Sequence, residues 1–314
     1  MHLRPARTTA RAAAIGAVLV LGLGSAQAAM AQPVYRVSCN AGALDYALSH
    51  VSSGSTLSLA DDCTYHLPGG LIDDVVTLTV AGNGATLQGG GPDSDYPILT
   101  VIDGSALTLD DVNFSDGSAS KGGAIYSDGN VTVNGGTFSH NRGEEGGAIY
   151  TGNLLTINGA VFTSNEGIKG GAIDGDSADT TITGAQFGQN KAAYGGGAIW
   201  DQYVVTVADS TFAGNTAEYG GAIYNHDNLT LTDVTGLAGS GDAFTGNVAD
   251  QGGAIYNYAG YVGATIGDSL IVYNEASDVG GGIYNACNAT FTLSDSSVFG
   301  NVTDNIYHES DCVV

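Results

Sequence analysis

Residues 138 to 150 read FSHNRGEEGGAIY, too rich in glycine for an ordinary strand and too patterned for a linker. The string returns, with changes, from Phe162, Phe187, Phe212 and Phe244. Its glycine pair leads to an isoleucine at 125, 149, 173, 199, 223, 255 and, as GGGI, 283, giving intervals of 24, 24, 26, 24, 32 and 28 residues. Each aromatic is followed three residues on by an asparagine: Asn141, Asn165, Asn190, Asn215 and Asn247. Later units relax the aromatic to Ile271 and Val298 but keep Asn274 and Asn301. A threonine stands six residues before nearly every one of these apolar positions, from Thr108 through Thr132, Thr156, Thr181 and Thr206 to Thr265 and Thr292. Only the unit of Phe244 breaks the count, where an insertion around 233 to 241 follows Thr230.

Self-similarity at such a period marks a solenoid. Short alternating runs lie between the markers, such as VTV at 131 to 133 and LTI at 155 to 157, bounded by Gly, Asn and Asp turns. Three such strands fit a coil of about 24 residues, with each marker about 4.8 Å above its counterpart. A phenylalanine column then fills the interior and an asparagine column hydrogen-bonds along a turn. The glycine pair supplies a positive φ or a close backbone approach, and the isoleucine points inward. Both ends need covering, because a bare coil is an open sheet edge. Asn40 is placed to cap a helix from Ala41 to Val51, with Leu44, Leu48 and Val51 on one face. At the other end DNIY, residues 304 to 307, replaces the glycine pair.

The first 31 residues carry Arg4, Arg7 and Arg11, an apolar run from Ala12 to Gly24, and the small-residue strings AQA and AMA. That is the order of a secretory signal peptide, with an apolar stretch too short to span a bilayer. Three parts are expected: a signal peptide over 1–31, an N-terminal cap with the first coils over 32–106, and the repeat body with its C-terminal cap over 107–314. Removing the leader leaves five basic against 32 acidic residues, a net charge of −27. Nucleic acid and anionic membranes are poor partners for such a surface, and no membrane insertion is expected. An even cysteine count in an exported chain favours disulfides over metal ligands. Four cysteines allow three connectivities; the simplest joins Cys39 to Cys63 and Cys287 to Cys312, one pair at each end.

The pairing of FxxN with GGAI over residues 107 to 308 resembles the polymorphic outer membrane protein repeat of the pectin-lyase-like superfamily. The stretch from Cys39 through DDCTYHL at 61 to 67 resembles the N-terminal cap of secreted bacterial β-helix proteins. The resemblance implies an all-β, right-handed, single-stranded parallel β-helix with a short N-terminal capping helix. It also implies an adhesin-like or glycan- or partner-binding protein, secreted and extracellular or held at a cell surface. No translocator barrel or sorting motif follows the repeats, so free secretion is expected. The alternative is a polysaccharide lyase or glycoside hydrolase of the same superfamily. Lyases of this type use an unpaired arginine beside calcium-binding aspartates, and polygalacturonases an aspartate cluster with His and Arg-x-Lys. No Arg-x-Lys occurs, and Arg142 is the one arginine of the repeat body.

Charges occupy equivalent places in successive units. Lys121, Glu145 and Lys169 precede the glycine pair, and Arg142, Glu166 and Lys191 follow the asparagine. Two ladders of alternating sign are expected, using four of the five basic residues left after the leader. The residue after the isoleucine is aromatic in most units: Tyr126, Tyr150, Trp200, Tyr224, Tyr256 and Tyr284. Alternation points this column away from the core, where it serves as a platform for sugar rings or a partner, or simply as a stack that stabilises the sheet. Its break at Asp174, near Trp200, Tyr194 and Tyr203, is the one irregular patch. Tyr150, Asp174, Trp200, Tyr203 and Tyr224 are the candidate binding residues. A carboxylate pair from neighbouring coils would approach the separation used by a retaining glycosidase, which makes Asp176 and Asp201 the fallback catalytic residues, with His226 and Asp227 one coil on. Asp is also an ordinary turn residue. No cofactor is required; calcium in acidic turns is the one cofactor the composition admits, although no DxDxDG loop is present. Histidines 50, 66, 140, 226 and 308 fall in different coil positions and form no metal set. The threonine column is also a feature of flat ice-binding faces, but its companion column drifts through Asp110, Asn134, Asn158, Thr183 and Ala208.

Overall fold

The computed structural model of the chain describes residues 32–310 apart from 177–178, 233–242, 259–262 and 288. Residues 1–31 and Cys312 lie outside the described residues, and with them the leader and the Cys287 to Cys312 pairing. What is described is an all-β parallel solenoid of about ten coils, about 25 residues each, with one short helix. Among the described residues no helix is long and apolar enough to cross a membrane.

One coil is enough to define the design. Asn130–Asn134, Thr137–Ser139, Arg142–Glu145 and Ile149–Thr151 are four strand segments, and the next coil repeats them in register. They run into an eleven-stranded sheet, a ten-stranded sheet, a short four-stranded sheet and a second ten-stranded sheet. We call these the threonine, phenylalanine, short and tyrosine sheets. Four segments form where alternation predicts three. The extra one, the short sheet, turns Gly143, Gly167 and Ala192 inward, residues too small to register as hydrophobic alternation.

Corners are made by one or two residues in the left-handed region. Asp111, Asp209 and Asp268 (φ 53°, 49° and 46°) bend the chain between the threonine and phenylalanine sheets. His140, Ser164 and Gln189 (φ 55°, 55° and 56°) do so before the short sheet. Short polar side chains tolerate this conformation better than branched ones. At the third corner the two glycines have separate tasks. Gly146 takes φ +66°, whereas a Cβ on Gly147 would collide with the carbonyl of Gly171 in the next coil.

The interior columns follow the expectation. Phe114, Phe138, Phe162, Phe187, Phe212 and Phe244 are fully buried, with successive rings 4.6–4.9 Å apart. Beside them each buried asparagine closes its own account. The Asn165 amide donates to Asn190 Oδ1 (2.9 Å) and to the Phe138 carbonyl (2.9 Å), while its Oδ1 accepts from the backbone N–H (3.0 Å) and the amide (3.0 Å) of Asn141. The same pattern continues through Asn215, Asn247 and Asn274. A bend that would otherwise strand backbone groups therefore leaves them paired.

The N-terminal end is closed by the helix Ala41–Leu48, whose first turn donates from Ala43 N–H to Asn40 Oδ1 at 3.1 Å. It stops at Leu48, short of Val51, and the Ser49 hydroxyl lies 3.0 Å from the carbonyls of both Asp45 and Tyr46. Leu44 and Leu48 enter the solenoid core, and Cys39 is joined to Cys63 across a Cα separation of 5.7 Å.

Candidate functional site

The tyrosine sheet aligns Tyr126, Tyr150, Asp174, Trp200, Tyr224, Tyr256, Tyr284 and Tyr307 in one column. These side chains leave the core as alternation requires, yet all are buried except the half-buried Tyr126 and Tyr307. Tyr150, Trp200 and Tyr224 are 6%, 5% and 4% exposed, and Trp200, Tyr224, Tyr256 and Tyr284 make a second apolar cluster separate from the core. The glycine corner explains it. That bend folds the outer face of the short sheet towards the outer face of the tyrosine sheet, so a Cβ on Gly195 would sit 2.6 Å from Trp200 and 2.9 Å from Tyr224. The column lines an inside corner, and burial of its rings supplies apolar stabilisation outside the solenoid core.

Three sides define this corner. Its floor is a stack in which Trp200 and Tyr224 lie 4.0 Å apart, Tyr224 and Tyr256 5.1 Å, and Tyr256 and Tyr284 4.6 Å. One wall belongs to the short sheet and carries the first charge ladder. Lys121 reaches Glu145 at 2.6 Å and Lys169 reaches the same carboxylate at 3.8 Å, with their ammonium groups 4.0 Å from the Tyr150 ring and 5.4 Å from the Trp200 ring. In the second ladder Arg142 meets Glu166 at 3.4 Å, and Lys191 is in register with Glu166 without an ion pair among the described residues. Further along, Tyr194 and Tyr219 take over the wall and meet Trp200 and Tyr256 tilted or edge-on. The other wall is the turn after the tyrosine sheet, where Tyr258 stacks on His226 at 5.1 Å and on Tyr224 at 6.2 Å.

The carboxylates separate by environment. Asp176 accepts from the Tyr150 hydroxyl at 2.8 Å and from the Gln202 amide at 2.7 Å. Asp201 points inward, is fully buried, and accepts from Tyr203 N–H at 3.0 Å, the turn-forming bond that Asp73 makes with Val75 N–H at the same value. Burial pushes the Asp201 carboxyl up to about 7 and that of Asp73 to about 6, against the pull of those N–H groups. Asp176 and Asp201 thus hold different turns and share no hydrogen bond. Asp174 is 1% exposed and neither of its oxygens has a hydrogen-bond partner. Burial pushes its carboxyl up to about 8; Glu145 and Asp176 add to the rise, and Lys169 and Lys121 oppose it. Among the described residues no three His, Cys, Asp or Glu side chains gather where they could hold a metal ion.

Of the five candidate binding residues, the structure brings Tyr150, Asp174, Trp200 and Tyr224 into one column, buried. Tyr203 stands at the following turn and is 48% exposed. The accessible rings at this corner are instead Tyr194 (42%) and Tyr258 (41%). Tyr258 and Tyr219 escaped the sequence reading, although both occupy repeat positions: Tyr219 precedes its glycine pair as Lys121 does, and Tyr258 begins its turn as Asp176 does.

The Chlamydia polymorphic membrane protein repeat matches residues 209–226 and 243–258. A comparison with curated proteins finds no match. Each matched stretch runs from a stacked phenylalanine past its ladder asparagine and glycine pair to an aromatic of the corner, which are the contacts that make one coil fit the next. Two stretches of the chain thus match the polymorphic membrane protein repeat, within a chain wound as a parallel β-solenoid.

Proposed function

We propose that the protein is a non-catalytic, adhesin-like scaffold of the cell surface or extracellular space, and that it binds glycans along the aromatic corner. The repeat family supports the surface placement. The observation that carries the binding reading is the exposed trio Tyr194, Tyr203 and Tyr258 beside a bed of stacked rings. Aromatic faces with a polar edge are what sugar rings pack on. The lyase or hydrolase alternative would need a working pair of acids. Asp176 is held by Tyr150 and Gln202, and Asp201 is committed to a turn inside the solenoid. Retention on a glycan array, compared with a screen of acidic and neutral polysaccharides for bond cleavage, separates the two. Binding without cleavage, lost in a Tyr194→Ala/Tyr258→Ala double variant, is expected. Cleavage abolished by Asp176→Asn would sink the scaffold reading.

A further inference from the structure

The aromatic column adds one ring per coil, and neighbouring rings lie 4.0–5.4 Å apart from Trp200 to Tyr307 and 5.4 Å apart between Tyr126 and Tyr150. At Asp174 the ring is missing. Its strand pairs in register with those of Tyr150 and Trp200, so the flanking rings stand two strand spacings, roughly 9.6 Å, apart along the axis. That is about twice the stacking interval, the excess being the thickness of one further ring, and the structure keeps this interval closed, with Asp174 1% exposed.

Polar groups of this break in the column lack partners. Both Asp174 oxygens and the Trp200 indole N–H are buried and unbonded. Single buried atoms of Asp73, Thr180, Asp201, Asn225 and Asp227 are also unbonded, but among the described residues Asp174 is the one carboxyl with both oxygens buried and unbonded, whereas the asparagine ladder is paired at every step. An occupant therefore has to donate to or accept from the Asp174 carboxyl and offer a flat apolar face to a ring on each side. A hydroxyl both donates and accepts, and a pyranose ring carries hydroxyls around its edge with C–H groups on its faces. A cation fits less well. The ammonium groups of Lys121 and Lys169 already lie over the two rings. The carboxyl also keeps its proton near neutral pH, so it offers a cation no full charge.

We propose that the gap at Asp174 is a slot for one pyranose residue of a neutral glycan, seated between Tyr150 and Trp200 once Lys169 swings off the indole. Lys169 is the movable member of its ladder: its contact with Glu145 is 3.8 Å against 2.6 Å for Lys121, and its side chain is 35% exposed. The slot rests on the glycan-binding reading above and adds to it the position, the ring and the polar groups that choose it.

Trp200 is the single tryptophan of the chain, so its emission reports on the corner around it, and the Asp174 variants assign the response to the slot. The whole protein is titrated with methyl hexopyranosides and methyl N-acetylhexosaminides. A saturable change in emission is expected. Asp174→Tyr and Asp174→Leu, which fill the gap in two ways, should weaken it by at least about tenfold, while Asp174→Asn, which keeps a donor and an acceptor, should hold it within about threefold. Thermal melts of the two filling variants at or above the wild-type midpoint establish that they fold. Saturation-transfer NMR on the wild type, with transfer from aromatic protons to the sugar, tests the slot without any variant. Equal affinity in wild type and Asp174→Tyr would overturn the slot and leave glycan binding elsewhere on the corner standing. No response to any sugar together with no retention on a glycan array would overturn both. A response to calcium chloride or tetramethylammonium chloride, and not to the glycosides, would overturn the slot in favour of a cation site.

Discussion

Two ring columns run the length of the solenoid, one inside it and one in the corner outside. The phenylalanine column is unbroken from Phe114 to Phe244 and lies beside an asparagine ladder with no unpaired member. The tyrosine column holds comparable stacking distances but breaks at Asp174, and it contains the unpaired polar atoms of Asp174 and Trp200. Identical coil geometry serves both. The difference is that the interior has to be filled wherever coils stack, whereas the corner can lose a ring without opening the core.

Breaking the inner column should therefore cost most. Phe187→Ala removes a fully enclosed ring between two stacked neighbours, and a loss of about 3–5 kcal/mol is expected, read from the denaturant midpoint. Asn190→Ala comes next, at roughly 2–3 kcal/mol. It strips partners from the Asn165 N–H and amide and from the Phe162 carbonyl, with some relief from water entering the vacated space.

The corner should respond to pH where the inner column does not. In the unfolded chain Asp174 loses its proton near 3.8, whereas the folded protein retains it up to about 8. Unfolding therefore releases a proton between these values. Its stability term is fully present below pH 4, declines as pH rises, and is gone above about 8. Asp201 and Asp73, raised to about 7 and 6, act in the same direction. Thermal midpoints should fall from pH 5 to 9. Asp174→Asn should match wild type near pH 4 and exceed it by up to about 5 kcal/mol at pH 8 to 9. A variant whose midpoint tracks wild type across the whole range would show that the corner does not bury this charge.

Smallest of all is the wall. Glu145→Gln removes the carboxylate shared by Lys121 and Lys169, and because these groups are partly exposed only about 0.2–1 kcal/mol is expected, fading in high salt. A larger, salt-independent loss would mean that the ladder sets coil register more firmly than its exposure suggests.

What the sequence makes legible is whatever repeats with a distinctive side chain. Phe138, Asn141, Gly146, Gly147 and Ile149 could each be assigned a place, and Lys121 with Glu145 and Lys169 a partner, before any coordinates. The short sheet was not legible, because Gly143 and Ala192 carry no hydrophobic signal. Nor was the burial of Tyr150 and Trp200. Alternation states which side of its own strand a residue leaves from, but not whether the neighbouring strand folds over that side, and here a glycine with φ +66° decides it. Asp174 stood out as an irregularity; only packing shows it to be enclosed and unpartnered.

The parallel register between coils also sets how the molecule bears load. Every sheet joins one coil to the next, so the ladder hydrogen bonds lie along the solenoid axis and a pull on the two ends acts directly across them. Such a rod unzips from an end, one coil at a time. Each coil released adds about 25 residues of slack, roughly 80–90 Å of extended chain. The asparagine and phenylalanine columns then act as a series of similar fasteners, and a tethered molecule would lengthen in even steps while the coils beyond the break stay wound.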